Sequence, residues 1–281
     1  FGDADGDCYL DLAIAEVLGP NRVFRNLGDG TFEEAWSDGS TANSIAALFA
    51  DLDGDGDLDL FFAGSPGADR IWWSTLADGG GLDYVDGGSF GPEAITTEVR
   101  AFDADDDGDL DLVTTHADIS GDPVEPITVW MNDGAGHFAA GWTAPTTLAE
   151  SALAVADVDG DNPLDLVVGG SLVNTIRVFE NDGAGDFIPV FISFAGSWID
   201  VLAADLDGDS DVDLLGVQAG GFVRPFLREG GTWVAGGATS LGTALSAAVG
   251  LHADDDGLLD LAISSEDGAV SLLRGLPGAQ F

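Results

Sequence analysis

The sequence contains no lysine. Its eight basic residues are all arginine, set against 51 Asp and Glu, for a formal net charge of -43 over 281 residues. A surface of that sign repels nucleic acid and anionic membranes, which excludes both as partners; its natural counterions are cations. There is one cysteine, Cys8, so no internal disulfide holds the fold together. No apolar run approaches the length that spans a bilayer, and no signal-peptide pattern is present. The first residue is Phe1 rather than Met, which leads us to expect an upstream segment that was removed or lies outside this sequence. Catalytic signatures are missing too: no G-x-S-x-G, no HExxH and no Walker loop. The three histidines, His116, His137 and His252, are scattered, and His137 falls where sibling segments carry Asp186 and Thr31, which suits a surface role. Cys8 lies inside an acidic stretch, a poor setting for a thiolate nucleophile.

Apolar content is ordinary at 45%, with 16 Phe and 7 Trp, so the acidity does not signal disorder. What organises the chain is repetition. DADGDCYLDL from Asp3 recurs as DLDGDGDLDL from Asp51, DADDDGDLDL from Asp103, DVDGDNPLDL from Asp157 and DLDGDSDVDL from Asp205. An eroded sixth copy, HADDDGLLDL, starts at His252. The period is near fifty residues, the size of one propeller blade. Each unit has a small-residue strand (SIAALFA, 44–50), the acidic loop, an apolar run (LDLFFAG) and an aromatic-containing strand (RIWWS, 70–74). A Gly-rich turn such as NDGAGHF, 132–138, then ends it. Short runs bounded by Gly and Asp/Asn predict four strands per unit. The expected fold is all-β: a single β-propeller over 1–281, six-bladed or an incomplete seven-bladed one. Its repeats run 1–43, 44–94, 95–149, 150–197, 198–243 and 244–281.

The acidic loops demand a cation. Carboxylates about 4–6 Å apart repel one another by on the order of 3 kcal/mol per pair at an effective dielectric near 20. Several pairs per loop would rival the ~5–15 kcal/mol by which a typical domain is stable. Hard oxygen ligands select Ca²⁺, with Mg²⁺ second. Ligands are expected from side chains at loop positions one, three, five and nine and from the carbonyl at seven. In the first loop these are Asp3, Asp5, Asp7, Asp11 and the Tyr9 carbonyl; in the second, Asp51, Asp53, Asp55, Asp59 and Asp57. The third offers Asp103, Asp105, Asp107, Asp111 and Asp109; the fourth Asp157, Asp159, Asp161, Asp165 and Pro163; the fifth Asp205, Asp207, Asp209, Asp213 and Asp211. The sixth retains Asp254, Asp256 and Asp260 but has His252 at position one, so that site is expected to be weak or empty. Gly, Asn or Asp at positions four and six suits left-handed backbone around an ion. Position twelve is Phe62 or Thr114 rather than Glu, and strands follow instead of a helix, which excludes an EF-hand.

The D-x-D-x-D-x-x-x-D-L loop, the apolar and aromatic strands, the N-D-G-A-G-x-F turn and Phe1-Gly2 together resemble the FG-GAP/VCBS-type propeller repeats. That family includes the integrin α-subunit head and many bacterial secreted proteins. The resemblance spans almost the whole chain and implies a propeller with Ca²⁺ in the hairpin between the first and second strands of each blade. Relatives serve in adhesion, in carbohydrate binding and, less often, as scaffolds for lyases. Two departures stand out: family propellers often have seven blades, and here the first blade lacks most of its leading strand. We expect either upstream residues or a strand donated by a neighbouring copy to complete it.

The expected role is a non-catalytic, extracellular or cell-surface, calcium-stabilised propeller serving in adhesion or as a structural subunit, with a protein or glycan partner. The alternative is a lectin binding glycans at blade interfaces, and the third reading is the scaffold of a polysaccharide-degrading enzyme. For the lectin, Trp72, Trp73 and Trp142 would offer stacking surfaces, although packing between blades is the plainer use of them. Glu98, Arg100 and Asp200 interrupt the otherwise apolar leading strands, and Glu98 and Arg100, two apart on a strand, are expected to pair.

Overall fold

The computed structural model describes residues 1–41, 43–65, 67–76, 81–117, 125–145, 152–170, 174–190, 196–253 and 258–275. These residues form 23 strands in six antiparallel sheets, with sequence neighbours hydrogen-bonded to one another. The chain has the all-β, six-bladed arrangement of a β-propeller, one sheet per repeat. Two compact units, Phe1–Thr147 and Leu148–Phe281, hold three sheets each.

In the first unit, sheet one is β1 (Leu12–Ile14), β2 (Arg22–Asn26) and β3 (Phe32–Ser37). Ahead of β1, a single bridge joins Gly2 to Asp11. Sheet two is β4 (Ser44–Ala50), β5 (Asp59–Gly64), β6 (Gly67–Ser74) and β7 (Tyr84–Ala94). Sheet three is β8 (Thr96–Phe102), β9 (Asp111–His116), β10 (Thr128–Asn132) and β11 (Phe138–Thr143). The second unit begins with β12 (Ala152–Ala156), β13 (Asp165–Gly170), β14 (Thr175–Asn181) and β15 (Phe187–Val190). Its next sheet is β16 (Trp198–Ala204), β17 (Asp213–Gln218), β18 (Phe222–Glu229) and β19 (Thr232–Ala235), with β20 (Thr239–Ser240) also on β18. Its last is β21 (Leu245–Leu251), β22 (Asp260–Ser265) and β23 (Val270–Leu273).

The second strand of a blade is the hinge of the packing. β5, β9 and β13 are buried along their whole length, because alternate residues feed the cores on both faces. On β5, Leu60 and Phe62 join Val23 and Tyr84 against sheet one. Phe61 and Ala63, on the opposite face, join Val99 and Leu112 of sheet three. The same division recurs in the second unit, where Val167 meets Trp198, Val201 and Leu214, and Leu215 and Val217 meet Leu261 and Ile263. Trp198 is fully buried and lies against Gly216, where a Cβ would come within 2.3 Å of its ring. An apolar D-L-x-x run after each acidic loop is therefore what this architecture requires.

Polar clips tie neighbouring sheets at the strand ends farthest from the acidic loops. Asn21 donates to Asp38 Oδ2 and to Ser44 Oγ, both at 3.0 Å, joining sheet one to sheet two. Asp69 is 1% exposed; it accepts from Gly64 N at 2.8 Å and from Thr96 Oγ1 at 2.9 Å, joining sheet two to sheet three. Burial outweighs both bonds and pushes its carboxyl up to about 6. His116, also 1% exposed, is held neutral: burial depresses it to about 4, against the pull of the Pro126 carbonyl 3.2 Å from Nδ1.

A carboxyl raised in the fold stabilises it most when protonated, and that contribution disappears as the pH rises from its unfolded value, 3.8, through about 6. Asp69→Asn removes the ionisation while keeping an acceptor for Gly64. The difference in melting stability between Asp69→Asn and the unaltered chain, in excess calcium, should shift by ~1–1.5 kcal/mol in favour of Asn from pH 5 to pH 7.5. A pH-independent difference contradicts the assignment.

Candidate metal centres

Five loops share one backbone. Position four is left-handed at Gly6, Gly54, Asp106, Gly160 and Gly208, with φ between 61° and 87°. Position six is left-handed at Cys8, Gly56, Gly108, Asn162 and Ser210, with φ between 72° and 96°. Side chains as different as Cys, Asn and Ser adopt a strained conformation here, so the loop is held from outside those residues.

The first carboxylate does part of the holding. Oδ2 of Asp3, Asp51, Asp103, Asp157 and Asp205 accepts the position-six N–H at 2.9–3.1 Å. The ninth does more. Asp11, Asp59, Asp111, Asp165 and Asp213 are no more than 1% exposed. Each accepts through Oδ2 from position two, at 2.8–2.9 Å. Oδ1 accepts at 2.7–2.8 Å from the third strand of the blade, at Asn26, Ser74, Asn132, Asn181 and Arg228. One buried carboxylate thus joins the start of the loop, its end and the neighbouring strand. Asp260 does the same in the sixth repeat, with Ala253 at 2.6 Å and Gly275 at 2.9 Å.

These bonds bring together positions one, three and nine. In each of the five sets Asp3/Asp5/Asp11, Asp51/Asp53/Asp59, Asp103/Asp105/Asp111, Asp157/Asp159/Asp165 and Asp205/Asp207/Asp213, one oxygen per residue lies within 4.8 Å of the others. Position five also caps the turn, since Asp7, Asp55, Asp107 and Asp209 each accept the position-seven N–H at 2.9–3.0 Å. Position seven differs by blade in where its side chain rests: Tyr9 lies against Gly28, Asp109 against Gly134 and Pro163 beside Gly183. Asp254 and Asp256 lie outside the described residues. His252 points Nδ1 at the Leu258 carbonyl, 2.9 Å away.

The sets are electrostatically unfinished. Burial first, and neighbouring carboxylates after it, hold Asp5, Asp53, Asp105, Asp111 and Asp213 above the usual carboxylate range. The same causes push Asp59 and Asp165 up to about 6. Oδ1 of Asp3 and Oδ1 of Asp105 are buried and accept no hydrogen bond. Converging hard oxygens, some without a donor, are the donor set that a divalent cation takes.

By its residue types the N-x-G stretch, N-L-G at Asn26 and N-D-G at Asn132 and Asn181, is a turn and nothing more. In the fold it is also a clamp. Asn26, Asn132 and Asn181 donate from Nδ2 to the position-eight carbonyls of Leu10, Leu110 and Leu164 at 3.0–3.1 Å. Asn132 donates as well to Leu52 O at 2.8 Å, in the acidic loop of the preceding blade. Gly28, Gly134 and Gly183, left-handed at 72–77°, leave room for the position-seven residue. Near-identical recurrence of the motif was the available signal.

A model of the FG-GAP-like repeat matches residues 3–62, 51–114 and 157–216, more than half of the sequence. The chain belongs to the FG-GAP-like repeat family. No curated protein matches it. Solved structures that share its fold include BBS1N in complex with ARL6DN, once soaked with lead and once with mercury. Each superposes with a TM-score of 0.63 at 14% identity, covering 97% of this chain and 75% of that one. In the FG-GAP-like matches, every matched stretch opens on a position-one aspartate of an acidic loop.

Other residues singled out by sequence are placed as follows. Glu98 and Arg100 pair at 2.7 Å on β8. Asp200 accepts Ala248 N at 2.9 Å, linking β16 to β21. Trp72 packs edge-on to Trp36 at 5.0 Å, and Trp73 packs on the core between sheets two and three. His137 is exposed, 3.1 Å from Asp133.

The unequal work of positions nine and five gives a mutational contrast in the FG-GAP-like loops. In calcium, Asp213→Ala should lower unfolding free energy by ~3 kcal/mol or more, since it strands two N–H groups. Asp209→Ala should cost ~1 kcal/mol. Equal losses in denaturant melts contradict these roles.

Proposed function

We propose that the chain is a calcium-stabilised, non-catalytic propeller of the cell surface or extracellular space that presents a rigid face to a protein partner, in adhesion or as a subunit of an assembly. The observation that carries this reading is the fivefold convergence of position-one, -three and -nine carboxylates within 4.8 Å. Bound at these loops, Ca²⁺ would supply the charge that offsets their repulsion, held by those three aspartates and the position-seven carbonyl. The position-nine residue would pass the constraint to the third strand through its N–H acceptor bonds, so that binding free energy becomes folding free energy. Extracellular calcium is millimolar and fills even weak sites of this chemistry, which supports a location outside the cell.

A protein partner is supported by the shared fold with BBS1N, which was crystallised in complex with ARL6DN. The packing of Trp72 and Trp73 against cores occupies two of the three rings, Trp142 being the third, on which a lectin reading would draw, which favours the protein partner.

One chelator-stripped preparation, dialysed against millimolar calcium with excess magnesium, tests the reading twice. Elemental analysis should return about five calcium ions per chain and little magnesium. The recalcified protein should give no saturable signal on a glycan array. Magnesium in place of calcium, or no metal, overturns the calcium assignment; selective glycan binding replaces the protein partner with the lectin.

A further inference from the structure

The five loops are built alike but not charged alike. Loops two, three and five carry a fifth or sixth acidic residue: Asp57, Asp106 with Asp109, and Asp211. Loop four carries Glu180 on its third strand, close enough to act on Asp161. Loop one has only its four aspartates, with Cys8 and Tyr9 at positions six and seven. It also has a cation. Arg25, half-exposed on β2, sits 3.8 Å from Asp5 through Nη1 and pairs with Glu33 through Nη2.

The place Arg25 occupies is defined by the position-nine carboxylate, whose Oδ1 accepts the N–H of the next residue, Asn26. In the other four blades the corresponding residues are Trp73, Met131, Glu180 and Leu227. Arg228, one position on in the fifth blade, lies over the Trp233 ring, 5.7 Å from its centroid. Among the described residues of the five complete loops, the first alone has an arginine paired with one of its converging carboxylates.

We infer that Arg25 is a built-in counter-cation that makes the first loop the weakest calcium site of the five and keeps that loop ordered when its metal leaves. The inference rests on the calcium reading above. Ligand charge count sets affinity in sites of this kind, and the first loop has the lowest net negative charge. A guanidinium beside Asp5 opposes a second cation there by simple repulsion, and it gives Asp5 a partner in the metal-free state. The first blade is thereby the calcium-responsive one. As calcium falls, its loop empties first while the other four hold. Asp11 links the same loop to Gly2, whose backbone packs against Phe49 and Leu58 of the second blade.

Calcium titration of the chelator-stripped full chain tests this, by calorimetry with a competing chelator. The unaltered chain should show a weak step of about one ion beside about four tighter ones. Asp3→Asn should abolish the weak step and leave the others. Arg25→Met should tighten it by ~3–10-fold at low ionic strength, with less effect in high salt. Arg70→Met, an equal change of net charge beside Asp86, should leave it unmoved. With chelator present, Arg25→Met should also melt below the unaltered chain, and in saturating calcium it should not. A weak step indifferent to Arg25→Met, or one that survives Asp3→Asn, overturns the inference and leaves calcium binding intact. No uptake by the unaltered chain overturns the calcium reading and this inference with it.

Discussion

Repulsion among carboxylates held within 4.8 Å of one another is the constraint on which the rest depends. A chain with a net charge of -43 has every electrostatic reason to expand, yet the loops place acidic groups at the turns where they must approach. Backbone amides offset a share of that repulsion, through N–H donors in each loop and in the strand beside it. They leave some oxygens unserved, as Asp3 and Asp105 show, and the carboxyls of Asp59 and Asp165 remain reluctant to ionise. The remaining charge calls for a divalent cation.

The loops matter to the fold because of what the position-nine aspartate touches. It opens the second strand, the one whose alternate residues enter two cores, and it binds the third strand's backbone. Disturbing a loop therefore reaches the packing between blades as well as the turn. The asparagine clamp at Asn132 extends this to the preceding blade through Leu52 O. A loop that looks like surface decoration is a structural junction.

Much of this was legible in sequence. The period near fifty, the order of parts and the apolar D-L-x-x run specify six sheets, because fully buried second strands need continuous apolar character. The Glu98–Arg100 pair followed from strand alternation alone. Three features were not legible. That position five, Asp55 for example, also caps the turn through Oδ1 depends on loop curvature, which spacing does not reveal. The clamp role of Asn26, Asn132 and Asn181 needs the contact with position eight, some 16–22 residues away in sequence. Arg25 meets Asp5 only because β2 folds back beside the loop; composition shows an arginine, and pairing shows which charge it opposes.

The central claim is that divalent cations offset the loops' repulsion and so sustain the fold. The direct measurement is the thermal unfolding midpoint at neutral pH, by circular dichroism, in saturating calcium and again in excess chelator. The account predicts a fall of ~20 °C or more, or loss of the folded baseline altogether. An unchanged midpoint would contradict it.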